Sequence, residues 1–371
     1  MHRTTAHQLR RTTALRRIGV GIGSGRVRNV IAATLTGGVL LLAAPAPAGA
    51  VELDWRGVGV SSLSYMKTVT VNGNTYDVTR GLDNGIWFRF NNGAWQPLGG
   101  FQAQSYYSPA IVQWQDRVMV AHQGVDNQIY WTAVQNPSAN QWEPWHRIEG
   151  DAAAWGGISL ESLGSTVLFD WADVNGLYRI TSVHTRPDGT RSQTAISFPN
   201  SQWHVGPQGS GTTGTRRPSP IMAWNEAAGG EMEHIYLVGT DNHVWQIWRN
   251  PATGATGAAS QVPGGAVCIS GVSAARMGYQ DYTVAPGDPQ YANQRRQMLA
   301  CIGADGYVWI NTSSTGGDTW DGWHQPAGAL APSTDTPAIN ATVNEFSIDI
   351  NWNGARSGLF PDHAIVEKTI R

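Results

Sequence analysis

Asp83-Asn84-Gly85-Ile86-Trp87 is the phrase on which the fold turns, because the chain writes it repeatedly. It returns as Asp126-Asn127-Gln128-Ile129-Tyr130, Asn175-Gly176-Leu177-Tyr178, Asp241-Asn242-His243-Val244-Trp245 and Asp305-Gly306-Tyr307-Val308-Trp309. Asp-Asn and Asp-Gly pairs tolerate positive φ and close tight hairpins. Alternating strands such as Val118-Met119-Val120-Ala121-His122 run into these turns. Beyond each turn the aliphatic and the aromatic side chains face opposite ways, since strands alternate. Large apolar residues on both faces predict sheets covered on both sides. Trp87, Tyr130, Tyr178, Trp245 and Trp309 are therefore expected in the core.

The spacing sets the unit. Aligned on the aliphatic residue, the phrases fall at positions 86, 129, 177, 244 and 308. The first two steps suit one four-stranded propeller blade of about 45 residues, and the last two carry an insertion of about 20. The excess reads as loops at Pro207 to Pro218 and Gly278 to Arg296, the latter with Tyr279, Tyr282 and Tyr291. Long loops on a rigid scaffold are favoured places for function. Outer strands carry a tail: Trp95-Gln96-Pro97, Trp145-His146-Arg147 and Trp323-His324-Gln325, with Trp142 and Trp320 three residues earlier and Trp203-His204 in the third unit. Inner strands share Ser108-Pro109, Ser219-Pro220 and Thr336-Pro337. Five units are explicit. A sixth is assembled from Ala331 to Arg371, closed by Val51 to Val60. The expected class is all-β, a single β-propeller of four-stranded blades over 51–371, about six in number, with five or seven also fitting.

With a formal net charge of -2 and 14% charged residues, the chain lacks the imbalance of a nucleic-acid binder. Seventeen Trp supply a large core, and 44 Gly suit a protein full of turns. Residues 1–50 read as a signal peptide: a basic stretch from Arg3 to Arg28, an apolar run from Val30 to Ala43, then small residues at Ala48 and Ala50. Cleavage after Ala50 and secretion are expected, by the general or the twin-arginine route. A membrane anchor is the rival, but the run is short of the roughly 20 residues that span a bilayer and is broken by Gly37-Gly38. No membrane insertion is expected after cleavage. Cys268 and Cys301 are the only cysteines, and an even count in an exported protein predicts a disulfide. The repeat places them on antiparallel neighbours.

The repeated phrase, followed by Trp-x-x-Trp-x-x-(Leu/Ile/Pro)-x-Gly, resembles the repeats of tachylectin-like and bacterial fucose-binding propeller lectins from about Gly81 to Gly328. The resemblance implies monosaccharide binding in shallow sites between blades, through aromatic faces and a few polar groups. Ser313 to Trp320 is similar to the Asp-box of sialidase-type propellers, with Thr315 in place of its Asp. That likeness implies a folding element and carries no chemistry.

Two carboxylates suffice for a glycoside hydrolase. Glu161, Glu226 and Asp349, with Asp170 beside them, are the candidates on strands near the axis, though nothing in their spacing pairs them and solvated strand-edge carboxylates are the plainer reading. The arginine and tyrosine motifs of a sialidase are missing, and Gly209-Ser210-Gly211 lacks a nucleophile elbow. Ten scattered His include no His-x-x-x-His pair, so neither metal nor cofactor is expected. Trp95, Trp131, Trp145, Trp203, Trp248 and Trp323, with His146, His204 and His324, are the candidate sugar contacts, set against packing in the core. Weak sites repeated on several blades would gain avidity on a multivalent surface. The sequence thus points to a secreted carbohydrate-binding propeller without catalysis, with a polysaccharide hydrolase or a protein-interaction scaffold as alternatives.

Overall fold

The structure is a computed structural model and describes residues 56–99, 101–150, 153–163, 165–173, 177–186, 190–196, 219–225, 230–277, 295–328, 337–341, 346–351 and 364–370. The segment 1–50, Trp203, His204, Glu226, the stretch 207–218 and most of Gly278 to Arg296 lie outside the described residues. Among the described residues no helix is long and apolar enough to cross a membrane.

Six antiparallel sheets make up the described fold, which is a β-propeller. Strand β1 (Arg56–Ser61) is set aside for the last blade. Blade 1 comprises β2 (Lys67–Val71), β3 (Asn74–Arg80), β4 (Ile86–Phe90) and β5 (Gln96–Pro97). Blade 2 comprises β6 (Ala110–Trp114), β7 (Arg117–Gln123), β8 (Ile129–Asn136), β9 (Gln141–Trp142) and β10 (His146–Arg147). Blade 3 follows as β11 (Ala154–Leu163), β12 (Thr166–Asp173), β13 (Tyr178–Thr185) and β14 (Arg191–Ile196). Blade 4 is β15 (Ser219–Asn225), β16 (Gly230–Val238), β17 (Val244–Arg249) and β18 (Ser260–Gln261). Blade 5 is β19 (Ser273–Arg276), β20 (Gln297–Ile302) and β21 (Val308–Ser313), with His324 bridging Ile310 in the outer position. Blade 6 is β22 (Ala338–Ala341), β23 (Phe346–Asn351) and β24 (Ala364–Ile370), and β1 pairs with β24 as its outermost strand. The N-terminal strand thereby closes the last blade, as the sequence suggested.

The innermost strands touch in ring order, β2 to β6 to β11 to β15 to β19 to β22 and back to β2. Apolar clusters lie between sheets, because each blade face is covered by its neighbour. Ile86 and Val78 of blade 1 meet Ile111 and Val118 of blade 2. Trp114 and Trp131 of blade 2 meet Ile158 and Phe169 of blade 3. Similar clusters join blades 3 and 4, 4 and 5, and 5 and 6. The closing seam between blades 6 and 1 is instead joined by polar bonds: Lys67 Nζ donates to the Ile339 carbonyl at 2.5 Å, and the Thr68 amide to Asn340 Oδ1 at 2.9 Å.

The repeated turn does three things. Asn84, Asn127 and Asn242 adopt φ of 63°, 65° and 63°, and Gly306 adopts 80°, which closes the hairpin. Their carbonyls at Asn84, Asn127 and Asn242 accept amides of Ser105, Ala154 and Cys268, the lead-in to the next blade. The aspartate ties down the aromatic: Trp87, Trp245 and Trp309 donate Nε1 protons to Asp83, Asp241 and Asp305 at 3.0–3.1 Å, and Tyr130 donates its hydroxyl to Asp126 at 2.7 Å. Each ring lies over a glycine two residues before the aspartate. A Cβ on Gly81, Gly239 or Gly303 would sit 2.4–2.8 Å from Trp87, Trp245 or Trp309, and one on Gly124 would sit 2.8 Å from Tyr130.

This lock corrects the expected burial. Trp87, Tyr130, Trp245 and Trp309 are half-buried, because each ring swings over its turn; of the four, Trp309 still packs against the apolar cluster between blades 4 and 5. Blade 3 is also one residue out of the expected register. Ala172 pairs with Tyr178 where Val238 pairs with Val244, so Tyr178 takes the buried aliphatic position and Leu177 does not. Asp173 and Arg179 then occupy the glycine and tryptophan places, joined by an ion pair of 2.7 Å.

Cys268 and Cys301 form the expected disulfide. Cys268 lies ahead of β19, bridging Gly303 on the strand continuing from β20. A crosslink over 33 residues contributes about 3–4 kcal/mol on the chain-entropy account.

Candidate functional site

The largest gathering of the expected residues is in the seam between blades 2 and 3. Trp131 on β8 and His146 on β10 are cross-strand partners, so their rings meet, stacked at 4.4 Å between centroids. Beneath them Trp114 meets Trp131 edge-on at 6.4 Å. Over these indoles lie two guanidiniums. Arg191, from β14 of blade 3, sits 4.9 Å from the Trp131 ring centre and 5.1 Å from that of Trp114; Arg117 lies 4.8 Å from Trp114. Such contacts hold a cation in place where water is partly excluded.

Glu143 binds the arrangement together. Its carboxylate is 7% exposed and accepts Arg191 Nη2 at 2.6–2.7 Å and Arg117 Nη1 at 3.3 Å, while His146 Nε2 lies 3.5 Å away. Arg191 Nη1 also meets His146 Nε2 at 3.3 Å. Burial first, and then the Arg191 charge, lowers the His146 pKa, so the ring is neutral at pH 7 and accepts from the guanidinium. The outward surface of the seam is accordingly polar: the His146, Arg117 and Arg191 side chains are 39%, 31% and 23% exposed.

Trp131 is only 4% exposed, so the expected open ring face is not there; its faces serve His146 and Arg191. Trp323 and His324 are buried likewise, at 5% each. Trp145 and Trp95 keep half-exposed rings. Trp145 Nε1 donates to the Gly99 carbonyl of blade 1 at 3.1 Å, and Arg89 lies 5.0 Å over Trp95. Trp248 is half-buried over Gly257, where a Cβ would meet its Nε1 at 2.1 Å. Glu143, Arg117 and Arg191 were missed by the sequence reading. The separation of Arg191 from Glu143 by 48 residues hides a contact that only blade stacking creates.

A recess of about 280 Å³ opens elsewhere, at the closing seam. Gly57, Met66, Thr68, Thr75, Asp77, Arg89, Asn92 and Glu367 line it. Asp77 holds Arg89 through two nitrogens at 2.7 Å and accepts the Thr68 hydroxyl at 2.7 Å.

The axial carboxylates are bound into the scaffold. Asp349 is fully buried and accepts Asn340 Nδ2 at 2.5 Å, while Glu161 on β11 is half-buried. Their charges partly offset the burial that lowers Lys67 to about 8. Asp170 accepts the Tyr178 hydroxyl, and burial with nearby Glu233 holds its pKa well above the carboxylate range. Arg249 in turn pairs with Glu233. Full burial of Asp349 and Asp170 takes both away from any substrate in this conformation.

Comparison with solved structures shows the same fold at low identity. A substituted form of the Aleuria aurantia lectin in complex with Fucα1-6GlcNAc superposes with a TM-score of 0.51 at 13% identity, over 78% of this chain and 89% of the lectin. The SapL1 lectin in complex with α-methyl fucoside gives 0.50 at 14% identity, over 80% and 90%. A protein of unknown function from Dyadobacter fermentans gives 0.53 at 10% identity, over 87% and 99%. No family model and no curated protein matches the sequence.

Proposed function

We propose that this chain is a secreted carbohydrate-binding propeller, and that it recognises glycan hydroxyls in the seam between blades 2 and 3 without transforming them. The carrying observation is the convergence of Glu143, Arg117, Arg191 and His146 from two blades onto Trp114 and Trp131. Charged donors and a carboxylate acceptor on a rigid apolar bed suit vicinal hydroxyls, because charge-assisted hydrogen bonds are stronger than neutral ones. The solved lectins of like fold, in complex with fucosides, support the reading, and so does the resemblance of the repeats to those of propeller lectins.

Binding differs here from the expected mode. Indole faces in this seam hold the arginines, so polar groups read the sugar and ring stacking is left to half-exposed Trp145 and Trp95. The test uses the chain beginning at Val51 on a broad glycan array, followed by titration calorimetry with each responding sugar. Binding abolished by Arg191→Gln in a folded protein supports the proposal. A silent array with no heat refutes it, and turnover of any glycan would move the protein to the hydrolases.

A further inference from the structure

We infer that the seam between blades 2 and 3 selects an acidic saccharide, one bearing a carboxylate or a sulfate, over its neutral counterpart. This rests on the carbohydrate-binding reading and adds the ligand's charge to it. Among the described residues, two guanidiniums share the buried carboxylate of Glu143, and the second carboxylate in reach, Asp116, lies out in solvent. The other anion of Arg117 is weak: its Nε lies 3.9 Å from Asp116, whose side chain is 77% exposed, and an ion pair so open to water contributes little. Arg191 is less satisfied still. Its Nη1 meets only the neutral His146 ring, and its shielded Nε has no hydrogen-bond partner.

The two cations also crowd one indole, lying 4.8 and 5.1 Å from the Trp114 ring centre. Within the seam their mutual repulsion is offset by Glu143, with Asp116 adding only a solvated contact to Arg117. Neutral hydroxyls can fill vacant donor positions, but they leave that repulsion in place. An anionic group at the exposed edges of Arg117 and Arg191 would fill the donors and balance the charge together. Planar guanidiniums suit such oxyanions because two parallel N–H bonds can reach two oxygens.

The experiment compares glucuronic acid, its methyl ester and glucose, and the corresponding galacturonic set, by calorimetry at 20 and 300 mM salt. These conditions separate the charge from the sugar ring. The acid is expected to bind about tenfold tighter than ester or neutral sugar at low salt, the margin between charged and neutral hydrogen bonds. High salt should erode that margin while leaving neutral-sugar binding little changed. Arg117→Gln should abolish the preference, and Arg191→Lys, which keeps the charge and loses the fork, should reduce it; both proteins are checked for an unchanged melting profile. Equal or tighter binding of the neutral sugars would overturn the inference and leave the carbohydrate reading standing. Acid preference that survives in folded Arg117→Gln would also overturn it, by placing the site elsewhere. Binding of neither class to this set or to the array removes the reading on which the inference rests.

Discussion

Blades 2 and 5 end in the same letters, Trp142-x-x-Trp145-His146 and Trp320-x-x-Trp323-His324, and the structure uses them differently. In blade 5 the second tryptophan is sealed against blade 4: Trp323 is 5% exposed, and a Cβ on Gly264 would approach its ring at 3.0 Å. Trp320 donates to Gln246 Oε1 at 3.3 Å, and Gln246 donates on to the Gly317 carbonyl at 3.3 Å. In blade 2 the corresponding Trp145 stays half-exposed, with its Nε1 on a blade 1 carbonyl. The histidines diverge for a local reason. His146 pairs with Trp131 and is lifted into a charged seam, whereas His324 pairs with Ile310 and sinks to 5% exposure. One sequence signature thus gives a wall in one place and a rim in another, and the cross-strand partner with the neighbouring blade decides which.

The sharpest way to break that contrast is to truncate both tryptophans. Trp323→Ala empties a closed site and should cost about 3–5 kcal/mol. Trp145→Ala removes a half-solvated ring and should cost about 1–2 kcal/mol. Equal losses in urea unfolding would mean that the two positions are equivalent after all. Next comes the crosslink on the blade 5 side. The double variant Cys268→Ser with Cys301→Ser should lose about 3–4 kcal/mol, since it frees the 33-residue loop. A midpoint matching that of the parent would show that packing in the seam between blades 4 and 5 suffices alone.

Acid should weaken blade 2 and the blade 4 wall against which blade 5 packs. His122 on β7, edge-on to Trp145 at 4.9 Å, and His234 on β16 beside Tyr236 are each lowered to about 4 by burial. The unfolded chain takes up these protons near pH 6.5 and the folded chain only near 4. Folded-state stability therefore falls as pH drops between those values, by about 3 kcal/mol for each histidine, and levels off below. Stability is followed by urea unfolding from pH 7 to 4. A flat profile there would contradict the neutral, buried state of both rings.

Much of this architecture was legible because it is local. Turn residues with positive φ, an alternating strand and the period between phrases needed only neighbours in sequence to read. Blade closure and the Cys268–Cys301 pairing followed once the period was known. What escaped depends on partners beyond the phrase. The rings of Trp87, Trp245 and Trp309 were assigned to the interior because alternation alone cannot show a ring folding back over its turn. The clue was present in Gly81, Gly124, Gly239 and Gly303, two residues before each aspartate. Reading those glycines would have flagged blade 3, where the place falls to Asp173. Glu143, Arg117 and Arg191 had no such signal, since no repeat marks a cluster that occurs between one pair of blades.

The glycine seat should respond alike in the two contrasted blades. Gly303→Ala and Gly124→Ala each drive a Cβ against the ring above, 2.4 Å from Trp309 and 2.8 Å from Tyr130, and should cost about 1–3 kcal/mol. Blade 3 supplies the control and the smallest effect. There Arg179, 51% exposed, replaces the ring and pairs with Asp173 at 2.7 Å. An ion pair so open to water is worth about 0–1 kcal/mol, so Arg179→Ala should shift the urea midpoint barely at all and less still in high salt. The difference is physical: a ring seated on glycine excludes water from its turn, while a solvated pair only decorates one. Should Arg179→Ala cost as much as Gly303→Ala, the lock draws its strength from the aspartate and not from the ring it holds.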